Sequence, residues 1–276
     1  MADSIVCGLI GAGIGGSRSP ALHEEEGAAQ RLRYVYKRID LDELKLGADA
    51  LPELLGAAER MGFAGLNITY PCKQAILPLL EELSDEARAL GAVNTVVLKD
   101  RRRVGHNTDS TGFAAAFRRG LPDAKRERVV LLGAGGAGAA VGHAALGLGV
   151  KELAIYDLDA AKALQLSEKL GAGARHAADL AQAMARADGL IHCTPTGMAK
   201  LPGLALSAEL LKPSHWVADI VYVPLETELL RAARGKGCRT LDGGGMAVFQ
   251  AAGAFRLFTG VEPDAERMLR HFASMG

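Results

Sequence analysis

The sequence has no surplus charge of either sign, few cysteines and no long apolar run. Its 276 residues carry 32 basic and 32 acidic side chains, a formal net charge of zero. That argues against a general electrostatic attraction to nucleic acid or to an anionic membrane. The four cysteines, Cys7, Cys72, Cys193 and Cys238, stand far apart with no C-x-x-C among them. They read as reduced, mostly buried small hydrophobes of a cytosolic protein. The seven histidines supply no H-E-x-x-H or comparable ligand spacing, so no metal is expected. No apolar span reaches the length of a membrane helix, and no charged segment leads into a short apolar one. Neither insertion nor secretion is indicated, and a cytoplasmic location is expected.

What is present is a soluble composition, 49% hydrophobic and 23% charged, on a chain long enough to bury a core without staples. Short β-branched runs alternate with Ala/Leu-rich stretches of helical length. Strands are expected over 4–10, 33–39, 64–68, 93–98, 128–132, 152–156, 189–192, 216–221 and 238–241. Helices are expected over 20–31, 48–61, 73–79, 83–90, 137–148, 160–170, 179–186 and 226–234. The basic cluster 99–103 reads as a solvated hairpin tip. This βαβα order implies an α/β protein with parallel sheets covered by helices on both faces. Nine strands are many for one doubly wound sheet, so two domains are expected: 1–110 with 246–276, and 111–245. The closing helices, 246–258 and 263–275, are expected to return to the first domain.

The glycine pattern G-x-G-x-x-G occurs twice, as Gly11-Ala12-Gly13-Ile14-Gly15-Gly16 and as Gly133-Ala134-Gly135-Gly136-Ala137-Gly138. A dinucleotide site needs a strand ending at the first glycine and a helix starting within the motif. It also needs an acidic residue some 20 positions on for the ribose hydroxyls. The second copy meets all three, with Asp157 closing the next strand. A carboxylate there accepts from both adenine-ribose hydroxyls and repels a 2′-phosphate, so NAD is favoured over NADP. The first copy runs instead into Ser17-Arg18-Ser19-Pro20. Proline favours the first helical position, which puts the helix start too late to clamp a pyrophosphate. Ser17 and Ser19 then either hold a small anion at a helix N-terminus or serve, in the case of Ser19, as a plain helix cap.

Eight short stretches, in order along nearly the whole chain, resemble the shikimate/quinate dehydrogenase family. They are "SRSPALH" (17–23), "GLNITYPCK" (65–73), "GAVNT" (91–95), "NTDSTGF" (107–113), "GAGGAG" (133–138), "CTPTGM" (193–198), "DIVYVPLETELL" (219–230) and "MAVFQAAGAFRLFTG" (246–260). The resemblance implies an N-terminal α/β substrate-binding domain and a C-terminal Rossmann-type doubly wound NAD-binding domain. It also implies reversible hydride transfer between a nicotinamide and the ring alcohol of a cyclic carboxylic acid. Carried over position by position, it assigns Ser17, Ser19 and Tyr222 to the substrate carboxylate, and Asn67, Thr69, Asn94 and Gln250 to its hydroxyls. Lys73 and Asp109 become the catalytic pair. The cofactor falls to Gly133, Ala134, Gly135, Gly136, Ala137 and Gly138, with Asp157, Thr194, Val221 (or Ile220), Gly245 and Met246.

The chemistry agrees with that pair. An alcohol must lose its hydroxyl proton as hydride leaves carbon, and a lysine can take the proton if its surroundings favour the neutral amine. A neighbouring carboxylate favours the ammonium instead, so the two read as a unit that relays one proton. Polar residues interrupting apolar segments, such as Asn67, Thr69 and Asn94, suit a polyhydroxylated ligand.

Three positions depart from the family pattern. Glu24 follows His23 where the family often shows Asn. Asp157-Leu158-Asp159 replaces the Asn-Arg-Thr-like signature of NADP-using members and resembles the NAD-using quinate/shikimate branch. Ser19 stands where quinate-adapted members tend to carry Thr. The expectation is therefore an NAD-dependent dehydrogenase of shikimate, and of quinate, that closes over its substrate as a monomer or homodimer. The rivals are a dehydrogenase of a related acid such as aminoshikimate, and a non-catalytic NAD-binding regulator.

Overall fold

The computed structural model describes residues 4–275, which divide into two compact units. The first contains residues up to Thr111 together with those from Val248 onward; the second is Gly112–Ala247.

The first unit is built on β1 (Ile5–Gly11), β2 (Tyr34–Asp40), β3 (Gly65–Ile68), β4 (Glu82–Leu83), β5 (Thr95–Lys99) and β6 (Arg102–His106). Its helices are α1 (Ser19–Ala29), α2 (Leu41–Leu44), α3 (Leu51–Arg60), α4 (Cys72–Ala75) and α5 (Asp85–Leu90), followed by the start of α6 (Asp109–Gly120). The second unit carries β7 (Arg128–Leu132), α7 (Gly136–Gly147), β8 (Glu152–Tyr156), α8 (Ala160–Leu170), β9 (Ala174–His176) and α9 (Leu180–Arg186). It continues with β10 (Gly189–His192), β11 (Trp216–Asp219), α10 (Glu228–Gly235) and β12 (Arg239–Leu241). Helix α11 (Gly244–Thr259) leads back to the first unit, where α12 (Ala265–Ser274) ends the fold.

Alternation along the strands builds two cores on each sheet. In β7, Val129 and Leu131 face one cluster with Val141, Leu153, Ile155 and Ile191. Val130 and Leu132 face the other, with Met184, Leu190 and Val217. In the first unit Ile10 packs with Leu55, Leu66 and Val96, whereas Cys7 and Leu9 lie against Tyr36, Phe255 and Phe258. Each such fully buried side chain is worth about 1.5–3 kcal/mol relative to exposure.

The second sheet is parallel throughout, in the order β12-β11-β10-β7-β8-β9. Numbered within the unit, that is the Rossmann order read from its far edge. The first sheet has the order β2-β1-β3-β5-β6-β4 and is mixed, with β5 antiparallel to both β3 and β6. The hairpin between β5 and β6 turns on Asp100 and Arg101, both at positive φ, the geometry of a two-residue primed turn. Strands β4, β6 and β9 are absent from the sequence expectation: the first and last are too short to show alternation, and β6 reads "RRVGH", polar and glycine-containing. The helix expected over 73–79 is instead α4 plus a 3-10 turn at Leu77–Leu79, with Pro78 in its first turn.

The closing helix is fastened by a buried carboxylate. Glu26 of α1 accepts from Arg267 Nε and Nη2 at 2.8 and 2.7 Å, from Asp264 N at 2.9 Å and from Gln30 Nε2 at 3.0 Å. Burial by itself raises the Glu26 pKa, but the bonds from Arg267 and Asp264 outweigh it and the net shift is downward. A carboxyl held below its unfolded value contributes stability above the ordinary glutamate range and loses it as pH falls through the folded value. Arg267→Ala leaves this buried charge without its guanidinium. It is expected to cost about 3 kcal/mol, somewhat less because Arg267 itself is partly exposed, and to flatten the acid limb. Urea unfolding at pH 7 and pH 4 measures both effects.

Candidate active site

In open α/β sheets ligands bind beyond the carboxyl ends of the strands, where the strand order reverses. Each unit has one such point. In the first it lies between β1 and β3, in the second between β7 and β10.

At the first point, β1 ends in the glycine run and Thr69 follows the end of β3. The two chains are laced together by Thr69 N donating to Ile10 O and Ala12 N to Tyr70 O, both at 2.9 Å. Gly11 is required here, since a Cβ on it would stand 2.2 Å from Thr69 Cγ2. The run's amides are already in use. Asp40, closing β2, accepts from Gly13 N at 2.9 Å, Ile14 N at 2.8 Å and Asp42 N at 3.1 Å. Burial pushes its carboxyl up, these backbone donors push it further down, and it rests below the usual aspartate range. A carboxylate thus occupies amides that a pyrophosphate would need.

The same loop carries Ser17 and Ser19, both half-buried. The sequence expectation of Ser19 as a possible helix cap is corrected. Arg18, already in helical conformation, takes the cap position, no side chain caps α1, and Ser19 is its first residue. Ser17 Oγ accepts from Ser19 N at 3.3 Å. Two hydroxyls therefore stand at an uncapped helix start, with the helix dipole behind them.

Beyond the turn after β3, α4 presents Lys73, whose Nζ donates to Asp109 Oδ2 at 2.5 Å. The side chains are 22% and 10% exposed, respectively. Asp109 opens α6, where a negative charge is favourable. Its other oxygen, Oδ1, accepts from Asn94 Nδ2 at 2.9 Å. Asn94 is committed on every side. Its amide donates also to Thr108 Oγ1 at 2.9 Å, and its carbonyl accepts from Thr108 N at 2.8 Å and Thr95 Oγ1 at 2.9 Å. In this structure Asn94 orients Asp109, and it reaches a ligand only by releasing one of those partners. Asn67 is similarly held: its amide donates to Asn94 O and Thr95 Oγ1, and its carbonyl accepts from Tyr36 Oη at 2.7 Å. One lone pair on Asn67 Oδ1 is left to accept from a ligand hydroxyl. Gln250 lies half-buried on α11. Three positions along the same helix face, a Cβ on Gly253 would come within 3.2 Å of Thr108 Cγ2, so that face runs past the Asp109 corner. The sequence reading missed Tyr36, Thr95 and Thr108; Thr95 and Thr108 lie inside quoted motifs, but only strand register puts Thr95 and Tyr36 beside Asn67.

At the second point, Gly133 has φ +106°, and a Cβ there would stand 2.9 Å from the Cys193 carbonyl and from Thr194 Cγ2. A Cβ on Gly138 would stand 2.1 Å from Gly133 O. These two glycines allow the tight turn and the close helix. Gly135 and Gly136 are different: exposed, and a Cβ on either meets nothing within 4 Å. They face open space at the start of α7, which has no side-chain cap, so its first amides are available to an anion. Asp157 closes β8 and braces the loop, accepting from Ala134 N at 2.7 Å through Oδ2 and from Asp159 N at 2.9 Å through Oδ1. Ala134's amide is therefore taken, while Asp157 keeps lone pairs free. Thr194 follows β10, and buried Val221 follows β11. Gly245 is fixed by packing, since a Cβ would stand 3.0 Å from Ala116 Cβ, and Met246 packs partly against the core. Tyr222 is half-buried in the second unit. Burial pushes the Cys193 thiol far up, which keeps it unreactive. Among the described residues no cluster of three or more His, Cys, Asp or Glu could hold a metal, and no helix is long and apolar enough to cross a membrane.

A Rossmann-ordered sheet with an open glycine cradle, joined to an α/β unit holding a lysine–carboxylate pair, defines a pyridine-nucleotide oxidoreductase of two α/β units. Residues 9–96 match the family model described as the shikimate dehydrogenase substrate binding domain, and residues 243–271 the shikimate 5′-dehydrogenase C-terminal domain. The chain belongs to the shikimate dehydrogenase family. A Streptomyces avermitilis protein named shikimate dehydrogenase (NADP(+)) is 59% identical over 99% of this chain and 96% of its own. A Corynebacterium efficiens protein named quinate/shikimate dehydrogenase (NAD(+)) is 52% identical over 99% of each. Among solved structures, quinate dehydrogenase from Corynebacterium glutamicum in complex with NAD has a TM-score of 0.92 and 48% identity, covering 99% of this chain and all of that one.

Proposed function

We propose that this enzyme reversibly oxidises the ring hydroxyl of shikimate, and of quinate, to 3-dehydroshikimate and 3-dehydroquinate, with NAD as cofactor. The observation that carries the reading is the Lys73–Asp109 pair at 2.5 Å, locked by Asn94 at the switch point of the first sheet. Lys73 takes the hydroxyl proton in oxidation and returns it in reduction. Asp109 holds the amine in place and, through Asn94, is itself held. Ser17 and Ser19 receive the substrate carboxylate, joined by Tyr222, while Thr69, Asn67 and Gln250 read the remaining hydroxyls. Asn94 keeps its assigned place there by exchanging a partner.

The residues of the second unit fit a dinucleotide. Gly135 and Gly136 leave the cradle open, α7 offers uncapped amides, and Asp157, bonded to Ala134 N, keeps lone pairs that would accept from ribose hydroxyls. NAD, when bound, supplies the hydride acceptor. Asp157 favours NAD, since its charge opposes a 2′-phosphate. Asp157→Ala removes both the ribose acceptor and the Ala134 brace. The ratio of kcat/KM for NAD over that for NADP is expected to fall about tenfold to a hundredfold, with KM rising for both. Unchanged selectivity would refute the ribose role.

The test of the function is absorbance at 340 nm with NAD or NADP against shikimate, quinate and aminoshikimate. Turnover of shikimate with NAD is expected. Turnover of aminoshikimate alone would transfer the assignment to that rival, and none at all would leave a non-catalytic nucleotide binder.

A further inference from the structure

The two asparagines of the first unit are joined by a residue that the proposed chemistry leaves unused. Thr95 opens β5, lies opposite Asn67 of β3 in antiparallel register, and is fully buried. Its hydroxyl stands between two side-chain amides, 2.9 Å from Asn67 Nδ2 and 2.9 Å from Asn94 Oδ1. At the outer end, Tyr36 Oη donates to Asn67 Oδ1 at 2.7 Å. At the inner end, Asn94 Nδ2 donates to Asp109 Oδ1 at 2.9 Å, and Lys73 Nζ donates to Asp109 Oδ2 at 2.5 Å. A continuous chain of hydrogen bonds thus runs from β2 through β3 and β5 to the lysine–carboxylate pair.

The directions in the middle of this chain are set by groups that do not titrate. The backbone N–H of Thr108 donates to Asn94 Oδ1 at 2.8 Å. An N–H only donates, which settles which side of the Asn94 amide is oxygen. The backbone carbonyl of Asn94 accepts from Asn67 Nδ2 at 3.2 Å, and a carbonyl only accepts, which settles the Asn67 amide. Thr95 Oγ1 therefore accepts from Asn67 and donates its one proton to Asn94. All the donors from Tyr36 onward point toward Asp109, so each bond polarises the next.

Place matters as much as polarity. The other partners of the Asn94 side chain, Thr108 and Asp109, belong to the corner that opens α6. That corner is the part to be held. Thr95 belongs to the sheet, and its bond to Oδ1 ties the Asn94 amide, and with it the carboxylate, to β5. Without the hydroxyl, Asn67 would keep a buried N–H that has lost its acceptor, and the Asn94 amide could turn with the corner.

We propose that Thr95 is a positioning residue for the proton transfer: its hydroxyl holds the Asn94 amide so that Asp109 keeps Lys73 in place. This rests on the catalytic reading of that pair given above. Thr95 does not touch the pair; it acts through Asn94.

The experiment compares Thr95→Val, Thr95→Ala and Thr95→Ser in the full-length protein. The first two remove the hydroxyl, at nearly full and at reduced size, and the third keeps it at reduced size. Stopped-flow absorbance at 340 nm, with enzyme in excess over shikimate, reads the first turnover free of product release. Thr95→Val and Thr95→Ala are expected to slow it about tenfold, while Thr95→Ser stays within about twofold of wild type. Affinity for NAD should stay within about twofold in all three. A packing role would reverse the order, sparing Thr95→Val and harming Thr95→Ser. In an Asp109→Asn background, Thr95→Val should cost less than about twofold, because the carboxylate it positions is gone. Acetylation of Lys73 in the ligand-free protein, read by peptide mass spectrometry against the exposed Lys200, gives a readout independent of turnover. A lysine bonded to a carboxylate is a poor nucleophile, so Thr95→Val and Thr95→Ala should raise Lys73 labelling about threefold and Thr95→Ser should not. If Thr95→Val fails to fold, Thr95→Ala decides. A wild-type first turnover in Thr95→Val, a Thr95→Ser as slow as Thr95→Val, equal losses in the two backgrounds, or unchanged Lys73 labelling would each overturn the proposal. A wild-type protein that does not turn over shikimate would overturn the function reading, while Lys73 labelling would still decide whether Thr95 holds the pair.

Discussion

Lys73→Ala is expected to lower kcat for shikimate oxidation by about a hundredfold to ten thousandfold, the usual reach of a positioned acid–base group. The substrate KM should change little, because the carboxylate and hydroxyl grips lie on other residues. Folding should survive: the Lys73 side chain is partly exposed, and its backbone carbonyl, which accepts from Val93 N at 2.9 Å, is untouched by the substitution. Asp109→Asn should also reduce kcat, since the amide cannot supply the charge that holds the ammonium while Asn94 Nδ2 still needs an acceptor. Steady-state kinetics with a thermal melt on each variant separates lost chemistry from lost structure. A Lys73→Ala enzyme retaining most of its kcat would remove the lysine from the reaction.

Gly138→Ala should weaken cofactor binding at least tenfold. The added Cβ would stand 2.1 Å from the Gly133 carbonyl oxygen and 3.0 Å from its carbon. Both are backbone atoms of a turn that Tyr156 O, accepting from Gly133 N at 2.8 Å, pins to β8. No rotamer relieves that clash, so the loop must shift, and the KM for NAD is expected to rise at least tenfold, with 1–3 kcal/mol of overpacking strain. Gly135→Ala is the informative contrast. Its Cβ meets no protein atom within 4 Å, so the melting temperature should hold while NAD binding weakens, because the methyl stands in the cradle. Equal effects of the two variants on stability would contradict the division of labour among these glycines. Fluorescence titration with NADH, alongside thermal melts, reads both.

Much of this was legible in the sequence because strands betray themselves by alternation and by their apolar runs. Val129 to Leu132 and Leu153 to Tyr156 needed nothing else. The two glycine runs were equally visible, and the sequence separated them through the late Pro20. The structure supplies a further cause: Asp40, some 27 residues away, fills the amides of the first run. Nothing local announces that, since an aspartate ending a strand before a helix reads as an ordinary cap, which Asp40 also is. The commitments of Asn67 and Asn94 were hidden for the same reason. Which side of an amide faces a ligand depends on Tyr36 and Thr95, brought beside Asn67 by sheet register, and on Thr108 from the segment between β6 and α6. His192 Nδ1 and Asp219 Oδ1, buried 2.8 Å apart, were invisible as a pair because they belong to different strands, 27 residues apart in sequence, that meet only in the parallel sheet. Short elements escaped too: β4 and β9 have two and three residues, too few for a period to show.

The most direct test is the wild-type ratio of kcat/KM for NAD over NADP in shikimate oxidation, followed at 340 nm. A ratio of about ten or more is expected if Asp157 receives the ribose and Lys73 takes the proton. A preference for NADP, or no reduction of either nucleotide by shikimate, would contradict it.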